Sequence, residues 1–179
     1  MNKMPELTSL EEFSSKHLDT TYKWLNEPDF RRDFLIRREI SWGNHLEWYE
    51  NYKEDESQKI FAILYEGIHV GNIGYKFINL NDDISEFWTY IGNQSYRGKG
   101  IAKAASKQFI NIGFNTLGLN KVYCRIIEYN TPSINLYKGL GFRMEGEFIQ
   151  EMKIDKKYYT IFRYSLLKDD FLKNNPSHL

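Results

Sequence analysis

Residues 93–102 read Asn-Gln-Ser-Tyr-Arg-Gly-Lys-Gly-Ile-Ala, and they carry the strongest signal in the chain. Two glycines, Gly98 and Gly100, lie among basic side chains, and an apolar pattern typical of a helix begins directly after them. Such a loop turns several backbone N–H groups toward one anion, and the helix start adds the favourable end of its dipole. The stretch therefore predicts a binding site for a pyrophosphate group.

Two better-known phosphate-binding loops do not fit these residues. A Walker loop requires Gly-x-x-x-x-Gly-Lys and then Ser or Thr, because that hydroxyl binds magnesium. Here five residues separate Gly92 from Gly98, and Gly100 takes the place of the hydroxyl. The dinucleotide fingerprint Gly-x-Gly-x-x-Gly fails at Lys103, where the third glycine belongs. What remains is Arg-x-x-Gly-x-Ala at residues 97–102, which on its own also suits a glycine turn after a strand.

A second segment gives the loop its context. Residues 130–142 read Asn-Thr-Pro-Ser-Ile-Asn-Leu-Tyr-Lys-Gly-Leu-Gly-Phe. Together the two segments resemble the acetyl-CoA-binding motifs of the GNAT superfamily of N-acetyltransferases: Q/R-x-x-G-x-G/A, then an Asn, then a helix ending L-Y-x-x-x-G-F. The matching positions are Arg97, Gly100, Ala102, Asn130, Leu136, Tyr137, Gly141 and Phe142. The resemblance covers residues 58–167 well and the N-terminal third more loosely.

Length and resemblance together predict the domain organisation. At 179 residues the chain suits one domain that buries its own core without disulfides or metals. We expect a single GNAT domain over residues 1–179. By the resemblance, residues 1–57 bind the acceptor, and residues 58–167 form the cofactor-binding core and the C-terminal hairpin.

The amino-acid composition limits the classes of partner that we expect the protein to bind. The 24 basic and 24 acidic residues cancel, so no bulk charge recruits nucleic acid or an anionic membrane. No signal peptide opens the sequence and no apolar run approaches the ~20 residues that span a bilayer, so we expect a cytoplasmic protein. The single cysteine, Cys124, excludes an intramolecular disulfide. No cluster has the spacing of metal ligands, and no metal is expected.

Hydrophobic periodicity predicts an α/β fold of the α+β type. The predicted strands are residues 6–13, 60–65, 70–80, 84–91, 122–128, 142–153 and 158–167. The predicted helices are residues 17–26, 29–36, 41–53, 101–117 and 131–140, and the tail from Lys173 is expected to fray. Ser41 is the predicted cap of the third helix, whose apolar side is expected to contain Trp42, Leu46 and Tyr49. The resemblance implies a mostly antiparallel sheet of six to seven strands, splayed at the acetyl-CoA site and flanked by four or five helices.

The resemblance also assigns the cofactor site. The glycine loop is expected to hold the pyrophosphate of acetyl-CoA, and backbone groups near Tyr90 and Ile91 to pair with the pantetheine arm. One such N–H would stabilise negative charge on the thioester oxygen. The predicted cofactor-binding residues are Tyr90, Ile91, Arg97, Gly98, Lys99, Gly100, Ile101, Ala102, Asn130 and Ser133.

Two residues are candidates for proton transfer. Tyr137 matches the family tyrosine beside the thioester sulfur, and a phenol with a pKa of about 10 keeps its proton at neutral pH. A tyrosine packed in the core is the structural alternative. Glu86 lies where many family members have a glutamate that takes the amine proton. A cross-strand ion pair or a solvated carboxylate is the alternative for Glu86.

The acceptor must be inferred from the N-terminal third. Its layout is similar to nucleotide-amino-sugar acetyltransferases, including the pseudaminic-acid pathway branch, and to ribosomal-protein N-terminal acetyltransferases. Tryptophans can stack on a nucleotide base and arginines can bind its diphosphate, so a small-molecule amine, an amino sugar attached to a nucleotide, is favoured. The candidate acceptor residues are Trp24, Asn26, Arg31, His45 and Trp88.

Several alternatives remain open from the sequence. The tryptophans of the N-terminal third have helical spacing, which is also typical of core positions. The acceptor classes besides the nucleotide sugar are a protein N-terminus, ribosomal or other, and a polyamine. A module that binds acetyl-CoA without turning it over is a further alternative. Homodimers are common among the relatives, so a homodimer is possible by analogy.

Overall fold

A seven-stranded sheet flanked by helices organises the computed structural model, which describes residues 7–34 and 36–175. The strands are β1 (Thr8–Glu12), β2 (Lys59–Tyr65), β3 (Ile68–Asn79), β4 (Ile84–Ile91), β5 (Lys121–Ile127), β6 (Arg143–Ile154) and β7 (Lys157–Leu167). The helices of the described residues are α1 (Leu18–Asn26), α2 (Pro28–Asp33), α3 (Trp42–Lys53), α4 (Ile101–Asn115), α5 (Thr131–Gly139) and α6 (Lys168–Asn174). The predicted mixed fold and its strand number are confirmed.

The sheet splits between its fourth and fifth strands. The strand order is β1-β2-β3-β4-β5-β7-β6, and every neighbouring pair except β4 and β5 is antiparallel. The parallel β4–β5 pair keeps register only as far as Glu86 and Tyr123. Beyond that point β4 continues to Ile91 and β5 to Ile127, but the two strands no longer pair with each other. They diverge and leave a cleft between them. The predicted splay is confirmed.

Helix α4 covers the central strands and fills the main core. Ile101, Ala105 and Phe109 are fully buried, and Phe109 stacks on Tyr75 at a centroid distance of 4.7 Å. Burying an aromatic side chain of this size stabilises the fold by about 2–3 kcal/mol. Ile112, further along the same helix, is only partly buried. No helix in the described part of the chain is long and apolar enough to cross a membrane.

The C-terminal helix α6 was not predicted. Its sequence is mostly charged, but Phe171 is buried against Phe114 at a centroid distance of 5.5 Å. The expected fraying from Lys173 is therefore wrong for residues 173 and 174, which belong to α6. The rest of the predicted tail, residues 176–179, lies outside the described residues.

Helix α3 begins where predicted but turns a different face to the sheet. Ser41 Oγ accepts a hydrogen bond from the Asn44 backbone N–H at 3.1 Å, which confirms the cap. Trp42 and Leu46 are exposed, whereas His45 is 1% exposed. The imidazole is buried because its Nε2 lies 3.2 Å from the Leu18 carbonyl oxygen, so its polar atom has a partner.

Gly71 lets β3 and β4 approach closely behind the cleft. A Cβ atom at this position would collide with the backbone of Tyr90 and Ile91. The strand β3 also shifts register against β2 next to this point, between Ile63 and Leu64. Gly71 therefore marks both a close approach of two backbones and a neighbouring irregularity of the sheet, two features for which glycine is typical.

Candidate active site

The glycine loop leads into the N-terminus of α4 with an open face. Gly98 and Gly100 have φ angles of 73° and 79°, in the left-handed region that favours glycine. A Cβ atom at either position would meet no described atom within 4 Å. Gly100 is the N-cap of α4, and the first N–H groups of a helix have no intrahelical partner. The loop can therefore direct free backbone donors at a large anion.

The basic side chains of the loop have different roles. Arg97 Nε donates to the Ile91 carbonyl at 2.9 Å, and its Nη2 donates to the Gly92 carbonyl at 3.4 Å. The guanidinium thus ties the loop to the end of β4. The Lys99 ammonium lies 5.0 Å from the centre of the Tyr96 ring and stays on the surface.

A cavity of about 490 Å³ extends from this loop along the end of β4 to the start of α5. It is lined by every predicted cofactor-binding residue except Lys99. Phe30 and Phe34 of the N-terminal part complete its wall. Its place at the helix N-terminus and beside the free end of β4 suits a diphosphate followed by an extended arm, so we name it the cofactor cavity.

A second cavity of about 310 Å³ lies between the diverging ends of β4 and β5 and is lined by residues of both strands. It is lined by Glu86, Trp88 and Tyr137 from the predicted set, and we name it the acceptor cavity. The residues that line both cavities are Phe34, Thr89, Asn130 and Ser133. We call these four residues the throat. The two cavities meet at the throat, which gives a donor and an acceptor a common reaction space.

Tyr137 lies beside the throat and is buried. Its ring makes edge contacts with Phe87 and Phe142 at centroid distances of 5.9 and 5.1 Å. Burial raises the pKa of the phenol well above its usual value, Cys124 and Glu86 add to this, and a hydrogen bond from the Thr89 backbone opposes it. The phenol therefore keeps its proton at neutral pH and can act as a proton donor. Tyr137 is thus a core residue and a member of the site at once.

Glu86 forms a cross-strand ion pair, which is one of the structural alternatives to its predicted role as a base. Lys76 is its register partner on β3, and the Lys76 ammonium lies 3.0 Å from a Glu86 carboxylate oxygen. Both side chains also line the acceptor cavity. An acceptor amine must therefore compete with Lys76 for this carboxylate.

Four of the five predicted acceptor residues lie outside both cavities, and Trp24 and Asn26 are the first two. Trp24 is 6% exposed, and its ring covers Gly92 so closely that a Cβ there would collide with it. The Asn26 amide donates to the Ile40 carbonyl at 3.0 Å and accepts from the Ile40 N–H at 2.9 Å. Their acceptor contacts stay predictions, while in the structure Trp24 covers Gly92 and Asn26 holds the chain at Ile40.

Arg31 and His45 also contact other residues of the protein and line neither cavity, so their acceptor contacts stay predictions as well. The Arg31 guanidinium is mostly covered and lies 3.6 Å from a carboxylate oxygen of Glu39. His45 is buried and stacks on Trp48 at a centroid distance of 5.3 Å. Trp88, the fifth predicted residue, does line the acceptor cavity and stacks on Tyr90 at 5.8 Å.

A buried hydrogen-bond network fixes Tyr90 from behind. Asn72, at the centre of β3, donates to the Tyr90 hydroxyl at 2.7 Å and to the Thr21 hydroxyl at 2.9 Å. Its amide oxygen lies 2.8 Å from His69 Nε2 and accepts that hydrogen. The network joins α1 to β4, and therefore joins the N-terminal part to the strand that borders the cofactor cavity.

His17 extends this network to the chain before α1. The Ser14 N–H donates to His17 Nδ1 at 3.0 Å, so the hydrogen of the neutral ring is on Nε2. The His17 and His69 rings are 4.8 Å apart, and His17 Nε2 and His69 Nδ1 have no hydrogen-bond partner among the described residues. Burial, and then the neighbouring His69, lower the pKa of His17 to about 4. Burial also lowers the pKa of His69.

Five of the residues that line the acceptor cavity carry chemistry or come from distant segments and were not among the predicted site residues. They are Phe34, Lys76, Thr89, Arg125 and Met152. Lys76 had a usable signal, because the tight turn at residues 82–83 brings it opposite Glu86. Phe34 and Met152 come from distant segments and have no such signal.

The segment over the cleft, residues 18–34 and 36–40, is named the roof; it contains α1 and α2 and then the irregular chain of residues 36–40. Two of its hydrogen bonds reach the C-terminal half of the chain. The Tyr129 hydroxyl donates to the Arg32 carbonyl at 3.0 Å, and Arg37 Nη2 donates to Met152 Sδ at 3.4 Å. The roof therefore spans the splay from one half of the sheet to the other.

Comparisons with known proteins agree with this geometry. The model of the acetyltransferase (GNAT) domain matches residues 8–143. The chain is 31% identical to spermidine N(1)-acetyltransferase of Escherichia coli K12 over 129 residues, which are 72% of this chain and 69% of that protein. It is 25% identical to acetyltransferase PseH of Campylobacter jejuni over 174 residues, covering 97% of this chain and 100% of that protein.

A solved structure shares the fold. The spermidine N-acetyltransferase of Vibrio cholerae, in complex with CoA and spermine, aligns with a TM-score of 0.88 at 21% identity, covering 93% of this chain and 99% of that chain. No group of three His, Cys, Asp or Glu side chains within residues 7–34 and 36–175 could hold a metal ion. The protein is an acyltransferase that takes its acetyl group from acetyl-CoA. With its domain model matched from residue 8 to residue 143, the chain belongs to the GNAT family of acetyltransferases.

Proposed function

We propose that the chain transfers the acetyl group of acetyl-CoA to a primary amine of a small molecule. The observation that carries this proposal is the throat, where the cofactor cavity and the acceptor cavity share their lining beside Tyr137. A donor held in one cavity and an amine held in the other meet there, so that the reaction becomes effectively intramolecular.

The residues of the site supply the parts of this reaction. Residues 97–102 bind the diphosphate through backbone N–H groups, and Asn130 and Ser133 bind the pantetheine arm. The amine nitrogen attacks the acetyl carbonyl carbon, and the carbon–sulfur bond breaks. Glu86 accepts the proton that the amine loses. Tyr137 donates its proton to the departing thiolate.

A polyamine is the acceptor that the comparisons support first. The relative with 31% identity is a spermidine N(1)-acetyltransferase, and the aligned segment covers 72% of the chain. The stacking and ion-pairing argument for a nucleotide-linked amino sugar is weakened, because the Trp24 ring covers Gly92 and Arg31 lies beside Glu39.

The nucleotide-linked amino sugar remains the second candidate because two observations favour it. The match to PseH extends over 97% of the chain, including the roof. Among the described residues that line the acceptor cavity, Lys76 and Arg125 are cationic and Glu86 is the only carboxylate. Such a lining suits an acceptor with an anionic group better than a polycation.

An assay of thiol release with purified protein tests the proposal. The panel contains spermidine, spermine, a nucleotide-linked amino sugar, a ribosomal-protein N-terminal peptide and a sample without acceptor. We expect one small-molecule amine to accelerate release and to appear acetylated by mass spectrometry. Acceleration by the peptide alone would assign a protein acetyltransferase instead. Acetyl-CoA binding without acceleration by any amine would assign a non-catalytic module.

Three further proposals concern the division of the chain, its location in the cell and its assembly. We propose that residues 1–57 form the acceptor part and residues 58–167 the cofactor core, although Phe34 reaches both cavities. We propose that the protein acts in the cytoplasm. We also propose self-association, at least as a homodimer: β6 exposes Phe148 and Ile149 at the sheet edge, and the Vibrio cholerae enzyme has a dodecameric structure. Light scattering after size-exclusion chromatography measures the assembly.

A further inference from the structure

We infer that the Thr89 hydroxyl is a further catalytic group of this site, which donates a hydrogen bond to the thioester carbonyl oxygen of acetyl-CoA. This inference rests on the proposed function. Thr89 lies on β4, in the part of the strand that has already separated from β5.

The hydroxyl is buried without a partner. Thr89 is 6% exposed, and its Oγ1 makes no hydrogen bond to any described residue. A buried polar atom that is left unpaired destabilises the fold, so it is rare in proteins and calls for an explanation. A ligand that supplies the missing partner is such an explanation.

Its position points to the reacting end of the ligand. Thr89 belongs to the throat, so the residue lines both the cofactor cavity and the acceptor cavity. Its backbone makes the hydrogen bond to the Tyr137 phenol, the proposed proton donor to the thioester sulfur. The thioester oxygen is bonded to the carbon next to that sulfur. Thr89 therefore places the Tyr137 phenol near the thioester sulfur and its own hydroxyl near the thioester oxygen.

The chemistry required is that of a hydrogen-bond donor. When the amine nitrogen bonds to the acetyl carbon, the carbonyl oxygen gains negative charge, and this charge disappears when the carbon–sulfur bond breaks. A fixed donor at that oxygen stabilises the transition state more than the ground state. The hydroxyl keeps its proton throughout, so no further co-reactant is needed.

The test compares three substitutions. Thr89→Val keeps the shape of the side chain and removes the hydroxyl, whereas Thr89→Ser keeps the hydroxyl. Thr8→Val is the matched control: Thr8 is also a buried strand threonine, 5% exposed, whose Oγ1 has no partner among the described residues, but it lines neither cavity.

We expect Thr89→Val to lower kcat by about 10- to 100-fold while the dissociation constant of acetyl-CoA changes less than about 2-fold. Its melting temperature should stay equal to the parent's or rise, since an unpaired polar atom is removed. Thr89→Ser should restore most of kcat, and Thr8→Val should leave kcat unchanged.

Three results would overturn the inference. Unchanged kcat in Thr89→Val removes the donor role. Equal weakening of acetyl-CoA and free CoA binding moves the hydroxyl to the pantetheine arm, away from the thioester. Loss of kcat together with a lower melting temperature, without recovery in Thr89→Ser, assigns a packing role. If the parent protein releases no thiol with any amine, the proposed function fails first, and the two failures are thereby distinguished.

Discussion

The glycine loop at residues 97–102 and the roof border the same cavity, but they present different parts of the chain to it. The loop offers backbone groups: Gly98 and Gly100 leave their surroundings open, and Arg97 is turned back to brace β4. The roof offers side chains, chiefly Phe30 and Phe34, and uses most of its polar groups to hold itself together. Under the proposed function, cofactor binding depends on a backbone shape, while acceptor choice depends on a few side chains at the throat.

The largest effect should come from Tyr137, which lines the acceptor cavity beside the throat. Tyr137→Phe keeps the ring contacts with Phe87 and Phe142 but removes the phenolic proton. We expect kcat to fall by about 100-fold or more, with little change in acetyl-CoA affinity. Steady-state kinetics and calorimetry measure the two quantities.

The control for Tyr137 is Tyr75→Phe, which removes another buried tyrosine hydroxyl. Tyr75 donates to the Phe109 carbonyl at 3.2 Å and lines neither cavity. It should lose stability and keep its turnover. A parent-like rate in Tyr137→Phe would remove the assignment of the proton donor.

The loop is tested by a pair of glycines at the two ends of α4. Gly100→Val forces a branched residue to a φ of 79° and fills the open face of the loop, so acetyl-CoA should bind at least about 10-fold more weakly. Gly118→Val carries the same backbone strain at a φ of 74°, with no cavity nearby. Both variants should lose similar stability, and only the first should lose affinity. Equal affinities would show that the loop does not contact the cofactor.

The acceptor side is tested at Glu86. Glu86→Gln should lower kcat/KM by about 10-fold or more, because the amide cannot accept the proton that the amine loses. Glu145→Gln is the matched control: Glu145 is also ion-paired on the sheet, with Lys121 and Arg163, but lies outside both cavities. A parent-like kcat/KM in Glu86→Gln would leave Glu86 with the structural role of pairing Lys76.

The smallest effect concerns the attachment of the roof. The pKa of His17 is lowered from about 6.5 in the unfolded chain to about 4, so the unfolded chain binds the extra proton between these values. The free energy of unfolding should therefore fall by as much as about 3 kcal/mol as the pH drops from 6.5 to 4. His17→Asn, which keeps an acceptor for the Ser14 N–H, should have a flatter dependence. Denaturant titrations across this pH range check it, and equal slopes would contradict the network.

The contrast between the loop and the roof also explains which features could be predicted from the sequence. Strand β4 was predicted at residues 84–91 and has those bounds, because turn residues and alternation act locally. The motif glycines and Tyr137 also lie at the cofactor cavity or beside it, as the resemblance implied.

The roof and α6 could not be predicted in this way. Whether Trp24 stacks on a ligand or is buried depends on Gly92, which is distant in the sequence. His45 can be buried because its ring nitrogen has a hydrogen-bond partner in the Leu18 carbonyl of α1. Phe171 is buried because it packs against Phe114 of α4. These outcomes depend on tertiary contacts, so the periodicity of a single segment does not contain them.

The most direct test of the central claim is a crystal structure of the protein with coenzyme A. The predicted result is a diphosphate held by backbone N–H groups of residues 97–102, with the pantetheine arm between β4 and β5 and its sulfur at the throat beside Tyr137 and Thr89. A diphosphate bound elsewhere, or an arm that does not enter the space between β4 and β5, would contradict the account.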